Sequence, residues 1–559
     1  MKIARIIILL LVYIGFYSLY IVGQEQIDKQ SIDYLKNQIT TERNQLSTAP
    51  EARDTYQNGV KAELMEVQIV QDGVNNKREI LISDSSNSKT LIFEEFIKLV
   101  SNNNKNILAK KHGFEASQAN LAKEQDVFEP QIVMSYQEGE SHIRYSQSEA
   151  FSLFRSEKDE ETKQYQTRIE SNIPSGASVS FGYTLTATKD KIADTNQEYT
   201  SYLGIQIVQP ILKNSGMTVR SEIMIAEKGV DVAFQSYRQE MMQIIYEAVN
   251  SSFDLYEAWA KYHIQKSSVE IAERILKDNK IRYRLGRMAQ TEVFEAEAGL
   301  LERRSLEIKA RQDLDIAMSN IRTFIADTNA SRSIYIDVRK LLEREQSNLN
   351  FTESFKKALL LRPDYLLAKL KVEQEDIRIL YAKNQRWPQL DLKGSYGLNG
   401  LGDSSGKAWD SALSDDYRSW TVGLEFSFPL YGGLYSKNDL LQVNLQKKQA
   451  LIELKAVEVK LSNLIHSAIQ DVQNTRKQGE FYKQAEALNQ KLLDIELKKY
   501  KAGQSNSRLL LEREKQLNLI KESNLAIQMY HQKAISKLEF AEGLILGKHG
   551  MEITQEIKK

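Results

Sequence analysis

IQIVQPILKNSG, residues 205–216, is an alternating apolar stretch halted at Pro210, and LEFSFPLYGG, residues 424–433, repeats the theme at Pro429. In each, a strand pattern with apolar residues two apart gives way at the proline to a long proline-free segment. Upstream, Pro130 and Pro388 close the helix-like runs DVFEP (126–130) and NQRWP (384–388). Downstream, each proline-free segment is broken once, at YRLG (283–286) and at YKAG (500–503). The paired landmarks lie 258, 219 and 217 residues apart, so the chain reads as one unit written twice. The fall from 258 to 219 places 39 surplus residues between the prolines of the first copy. A longer loop absorbs such a surplus at small entropic cost. Within it, TRIESNIPSGASVSFGYTL (167–185) reads as a further hairpin around Pro174-Ser175-Gly176.

The proline-free segments are helical by periodicity. Val249, Phe253, Tyr256, Trp259 and His263 form one apolar stripe, and Leu454, Val457, Leu461, Leu464, Ala468 and Val472 form the other. Each predicted helix runs to about 65 residues, roughly 95 Å at 1.5 Å per residue, which exceeds the diameter of a globular domain. A helix of that length persists by packing along partners. The shorter helical runs before each first proline and after each tip glycine supply them, stacked end to end. The first such run starts at TLIFEEFIKLV, with Thr90 as its expected N-cap, and its counterpart starts at Asn350.

The segments between the prolines alternate with period two. Trp420, Val422, Leu424, Phe426 and Phe428 share one face, Thr421, Gly423, Glu425 and Ser427 the other, and Leu390, Leu392 and Tyr396 or Leu203, Ile205 and Ile207 repeat the pattern. Nine or ten residues suit a tilted strand that crosses a bilayer. Closed single-chain barrels begin at about eight strands, and a sheet edge left in hydrocarbon exposes unpaired backbone groups. Four clear strands therefore require several chains to pool them.

Lys plus Arg and Asp plus Glu both number 75, so no bulk positive field draws the chain to nucleic acid. There is no cysteine, which excludes disulfides, thiolate metal sites and lipid attachment to an N-terminal cysteine. Lys2 and Arg5 precede an apolar run, Ile6 to Val22, in the layout of a signal peptide over residues 1–23. The six histidines have no metal-ligand spacing, GDSSGKA at 402–408 lacks the P-loop spacing, and no hydrolase motif stands out, so neither a cofactor nor an enzymatic activity is expected. The predicted divisions are a polar extension (24–89), a first repeat (90–329), an inter-repeat segment (330–349), a second repeat (350–546) and a tail (547–559).

A signal sequence followed by a duplicated helix, strand, strand, long helix, Tyr-x-x-Gly tip and helix resembles the TolC-type outer-membrane efflux proteins over roughly residues 90–545. IVQPILKNSG and FPLYGG resemble that family's strand-to-helix junction. The resemblance implies an α+β membrane protein: a homotrimer whose strands build one transmembrane β-barrel in outer-membrane lipid, continued by a periplasmic coiled-coil barrel of helices. It also implies partners, namely a periplasmic adaptor and an inner-membrane transporter of the RND or ABC class. The adaptor-docking tips then fall at Leu285, Gly286 and Arg287 and at Ala502, Gly503 and Gln504. The gate falls at Tyr283, Glu292 and Glu295 and at Tyr500 and Glu512, while Leu509 departs from the acidic pattern, Ser505 from a basic one, and Arg508 could substitute. A reading from another class is a periplasmic coiled-coil adaptor or scaffold held by an uncleaved N-terminus.

Overall fold

The computed structural model describes residues 88–192, 196–329, 333–338, 349–414, 416–430 and 433–551. The signal peptide, nearly all of the polar extension, most of the inter-repeat segment and the end of the tail lie outside the described residues. In chain order the elements are β1 (Ser88–Ile92), α1 (Phe93–Asn103), α2 (Lys105–Gln125), β2 (Gln131–Arg144), α3 (Gln147–Leu153), β3 (Glu157–Asn172), β4 (Ser178–Asp190), β5 (Glu198–Pro210), α4 (Ser221–Arg284), α5 (Gln290–Phe324) and β6 (Ser333–Asp337). They continue with α6 (Phe351–Leu361), α7 (Pro363–Asn384), β7 (Gln389–Gly402), α8 (Ser405–Leu413), β8 (Arg418–Ser427), α9 (Leu434–Lys501) and α10 (Ser507–Glu542).

The two long helices contain 64 and 68 residues, α4 and α9 respectively. Each doubles back at a glycine tip onto a shorter helix, α5 or α10, and each is flanked on its other half by the helix that precedes a strand, α2 on α4 and α7 on α9. α4 also packs against α7 and α10, which joins the two hairpins. The largest core collects where α1, α4, α5 and the parallel pair β1–β6 meet, around Phe96, Ile97, Ile245, Phe253, Ile321 and Ile334. Burying each such side chain contributes roughly 1.5–3 kcal/mol. Among the described residues no helix is long and apolar enough to cross a membrane.

Three expectations need correction. Thr90 does not cap a helix: residues 88–92 form β1, each paired with a residue of β6, so the helix begins at Phe93 behind Ile92. The strands are longer than nine or ten residues, at 13 to 16 for β2–β5 and β7, and only β8 has 10. Finally, the surplus of the first copy is not a longer loop but the hairpin expected around Pro174-Ser175-Gly176, with strands that extend beyond 167–185. It forms β3 and β4, which pair with each other across the 173–177 turn and with β2 and β5 on either side, in one antiparallel sheet of order β2-β3-β4-β5-β7-β8. Strand register favours this placement because it lines up Ile132, Ile169, Phe181, Ile205, Tyr396 and Trp420 across the six strands on one face.

α8, in the β7–β8 connection, lies on the sheet. Ala408 and Ala412 are buried against β5 and β7, and the Ser201 hydroxyl donates to the Ala408 carbonyl at 2.7 Å. A Cβ at Gly400 would come within 1.9 Å of that carbonyl, so only glycine permits the seat.

Candidate functional site

The two hairpin tips share one backbone solution. At the first, Gly286 has φ 74°, its N–H donates to Tyr283 O at 2.9 Å, and Arg287 N–H donates to Arg282 O at 2.9 Å. At the second, Gly503 has φ 76°, with Gly503 N–H to Tyr500 O at 3.1 Å and Gln504 N–H to Lys499 O at 2.9 Å. This pair of bonds satisfies the last carbonyls of a helix and calls for glycine at the left-handed position. Leu285, Gly286, Arg287, Ala502, Gly503 and Gln504 are all exposed, and open space surrounds both glycines.

The return turns differ. Asn506 caps α10 by accepting from Leu509 N–H at 2.9 Å, whereas Ala289 starts α5 without a side-chain cap. The tyrosines differ more. Tyr283 is 42% exposed, but Tyr500 is 4% exposed and donates its hydroxyl to Asn279 Oδ1 of α4 at 2.8 Å. The Arg282 guanidinium lies 4.8 Å over the Tyr500 ring. Burial pushes the Tyr500 hydroxyl pKa above its ordinary value of 10.0, so it stays a donor at neutral pH.

Asn279 passes the connection on, donating from Nδ2 to the Glu292 carbonyl at 3.1 Å. The Glu292 carboxylate, half-buried, accepts from the Ser507 hydroxyl at 2.7 Å. The sequence-predicted residues Tyr500 and Glu292 thus meet in one polar chain between the hairpins. Tyr283, Glu295 and Glu512 stand exposed, as do Arg508 and Leu509, while Ser505 donates to Glu496 within its own hairpin.

Three turns farther from the tips lies a connection that the sequence reading missed. Arg303 of α5 and Glu514 of α10 are 5% and 2% exposed and form a bond pair, Nη2 and Nε to the same carboxylate oxygen at 2.7 and 3.1 Å. Arg303 Nε also donates to Ser268 Oγ at 3.1 Å, Nη2 to the Leu511 carbonyl at 2.8 Å and Nη1 to the Gly299 carbonyl at 3.1 Å. Asn518 donates to the other Glu514 oxygen. A buried pair is tolerable only when its remaining donors and acceptors are met in this way. The available signal was phase: Arg303 follows Val293, Ala296 and Leu300 at spacings of three and four, and so occupies a buried stripe position. Nearby, exposed Lys515 and Glu302 pair at 2.8 Å. Among the described residues no group of His, Cys, Asp and Glu could hold a metal ion.

Known proteins fit this architecture. The outer membrane protein TolC of Escherichia coli (strain K12) is 23% identical over 304 residues, covering 54% of this chain and 60% of that protein, so the match spans less than two thirds of that relative. The CmeC outer membrane channel of Campylobacter jejuni superposes with a TM-score of 0.56 at 16% identity, covering 83% of this chain and 87% of that one. The MtrE outer membrane channel of Neisseria gonorrhoeae, in its open state, gives 0.55 at 15% identity, covering 81% and 89%. These likenesses carry the fold. The sequence pattern of the outer membrane efflux proteins matches residues 96–326 and 355–539, most of the chain, and by that match the protein belongs to the outer membrane efflux protein family and resides in the outer membrane.

Proposed function

We propose that the protein is the passive exit duct of a tripartite efflux pump or a type I secretion system. Three copies pool their sheets into one barrel in the outer membrane, and their hairpins form a tunnel through the periplasm. Its tips meet a periplasmic adaptor, which connects to an inner-membrane transporter of the RND or ABC class that supplies the energy. The observation that carries this reading is a sheet whose apolar face is open to its surroundings and whose edge strands β2 and β8 have no further partner among the described residues, mounted on helices of 64 and 68 residues. In hydrocarbon such edges must be closed by other chains. A coiled-coil adaptor or scaffold has no use for a bilayer-facing sheet, and the family match favours the channel.

The tip residues are the proposed docking surface. Glu295 and Glu512, exposed on the return helices, with Glu292 and the two tyrosines, are the proposed gate, since converging carboxylates at a pore entrance attract cations and repel one another. Planar-bilayer recording of the purified protein tests the channel. Discrete ion-conducting steps are expected, with divalent-cation block that weakens in Glu292→Gln and Glu512→Gln; a protein that never conducts sinks the proposal, and unchanged block removes the acidic gate. Copurification identifies whether a drug-type or a polypeptide-type transporter is the partner.

A further inference from the structure

The sheet's two faces have distinct compositions, and the boundary between them runs through all six strands. On one face, cross-strand partners read Ile132, Ile169, Phe181, Ile205, Tyr396 and Trp420, each directly opposite the next. The opposite face carries Gln137, Gln164, Gln166, Thr184, Thr186, Gln206, Ser395 and Thr421. β3 and β4 follow this division over 165–169 and 179–185, the part of the hairpin that lies beside the apolar stretches of its neighbours. α8 covers this face at its upper end, at Tyr183, Ser201 and Gly400, and on the outer strands the face is open: Ile132, Met134, Trp420, Val422 and Leu424 are 66–75% exposed.

The limits of the apolar band also cross the hairpin without a break, and they slant. At the upper limit stand aromatic residues. Tyr136 and Tyr165 are paired, rings 5.0 Å apart, with the Glu138–Lys163 ion pair (3.2 Å) two residues above them. On β4 the aromatic is Tyr183, one side-chain repeat lower, its ring 4.8 Å from Trp409 of α8. On β7 and β8 it is Tyr396 opposite Trp420, lower by one repeat again, with Arg418 above. The lower limit slides the same way, from Ile132 and Ile169, to Val179 and Ile207, to Leu390 and Phe426. A horizontal bilayer seen by strands tilted about 35–45° cuts the register in such a diagonal, with aromatics at the interface and charges beyond it. A hairpin folded over a mouth or standing in solvent has no reason to keep both limits in step with its neighbours.

Resting on the reading that the chain forms an outer-membrane channel, we infer that β3 and β4 are barrel wall, facing acyl chains with Tyr165, Thr167, Ile169 and Phe181 and the pore with Gln164 and Gln166. Each chain then gives six strands, and three copies close a ring of eighteen. Barrel diameter grows about linearly with strand number, so this mouth is about half again as wide as one built from four strands per chain. At mid-height the added wall is lined by amides and hydroxyls, Gln164, Gln166, Thr184 and Thr186, and below them by the Arg168–Glu170 ion pair, so it presents a polar surface to whatever passes.

The chain contains no cysteine, so single substitutions report without background. Full-length Gln164→Cys, Tyr165→Cys, Gln166→Cys and Thr167→Cys proteins, in outer-membrane vesicles, are treated with a membrane-impermeant maleimide, with Thr421→Cys and Val422→Cys on β8 as controls. The expected result is alternation, positions 164 and 166 reacting about tenfold or more faster than 165 and 167, as 421 does relative to 422. Electron microscopy of the wild-type oligomer should show eighteen barrel strands. Equal labelling at 164–167 beside alternating controls, or a ring of twelve strands, overturns the inference and leaves the channel standing. Equal labelling at 421 and 422 as well means that the sheet is not in a bilayer, and then the channel reading itself fails.

Discussion

The two hairpin tips have the same backbone and opposite surroundings. Both reverse at a positive-φ glycine three residues after a tyrosine, with matching carbonyl bonds. Yet Tyr283 is exposed, whereas Tyr500 is buried against Asn279 and Arg282 of the other hairpin. The backbone motif is set within six residues and needs nothing else. The burial is set by which surface of one hairpin touches the other. The first tip is therefore the freer of the two, and the second is held from the side, by Tyr500 near the end and by Arg303–Glu514 deeper in.

The strongest test of that asymmetry removes the deeper connection. Arg303→Ala leaves Glu514 buried and unpaired, and is expected to cost about 3–5 kcal/mol, read as a lower midpoint in chemical denaturation of the helical signal. The double variant Arg303→Met with Glu514→Leu should recover most of the loss. If the single variant costs under about 1 kcal/mol, the pair does not hold the hairpins together.

Side chains at the two glycines come next. Valine at Gly286 or Gly503 meets no neighbour, but φ of 74° and 76° penalises any β-branched residue. A loss of about 1–2 kcal/mol is expected at each. Adaptor-dependent transport should vanish while the outer-membrane oligomer still assembles; transport at the wild-type level refutes the docking role of the tips.

Tyr500→Phe removes the hydroxyl that Asn279 accepts from, at an expected cost of about 1 kcal/mol, while Tyr283→Phe should change stability by less than a few tenths. Hydrogen exchange along α9 should quicken near the tip in the first variant only. Equal responses erase the distinction between the tips. Asn506→Ala should likewise loosen the start of α10 by about 1 kcal/mol, and Ala289→Asn should tighten α5 by a similar amount.

The smallest effect concerns pH. Burial, and then the Arg476 charge, lower the pKa of His531 below its ordinary 6.5, and its Nδ1 lies 2.8 Å from the Thr475 hydroxyl of α9. The unfolded chain then binds the proton more readily than the folded one. The contribution of this group is complete above pH 6.5 and declines as pH falls through that value toward the folded pKa. His531→Gln should flatten this part of the stability–pH curve, and an unchanged curve means that the imidazole is already free to charge.

Local rules made much of this molecule readable. Periodicity gave the lengths of α4 and α9 because apolar residues three and four apart mark a buried stripe whatever covers it. Prolines marked the strand limits at 130, 210, 388 and 429. The N-terminal element was misread because Thr90 is equally suited to a cap and to a strand, and only β6, more than 240 residues away, selects the strand. β3 was only partly legible, since Glu157 to Gln164 is charged or polar on both faces and its alternation emerges beside β2 and β4.

The sequence alone therefore determined what depends on neighbours along the chain: helix periodicity, the two glycine reversals, the proline boundaries and the alternating strands. Tertiary structure decided what depends on residues hundreds of positions apart: that the surplus hairpin joins the sheet, that Arg303 meets Glu514, and that of two like tyrosines one is buried and one exposed. The physical reason is that a backbone turn is stabilised by bonds within a few residues, whereas the burial of a charge or a hydroxyl is fixed by whichever surface arrives to cover it.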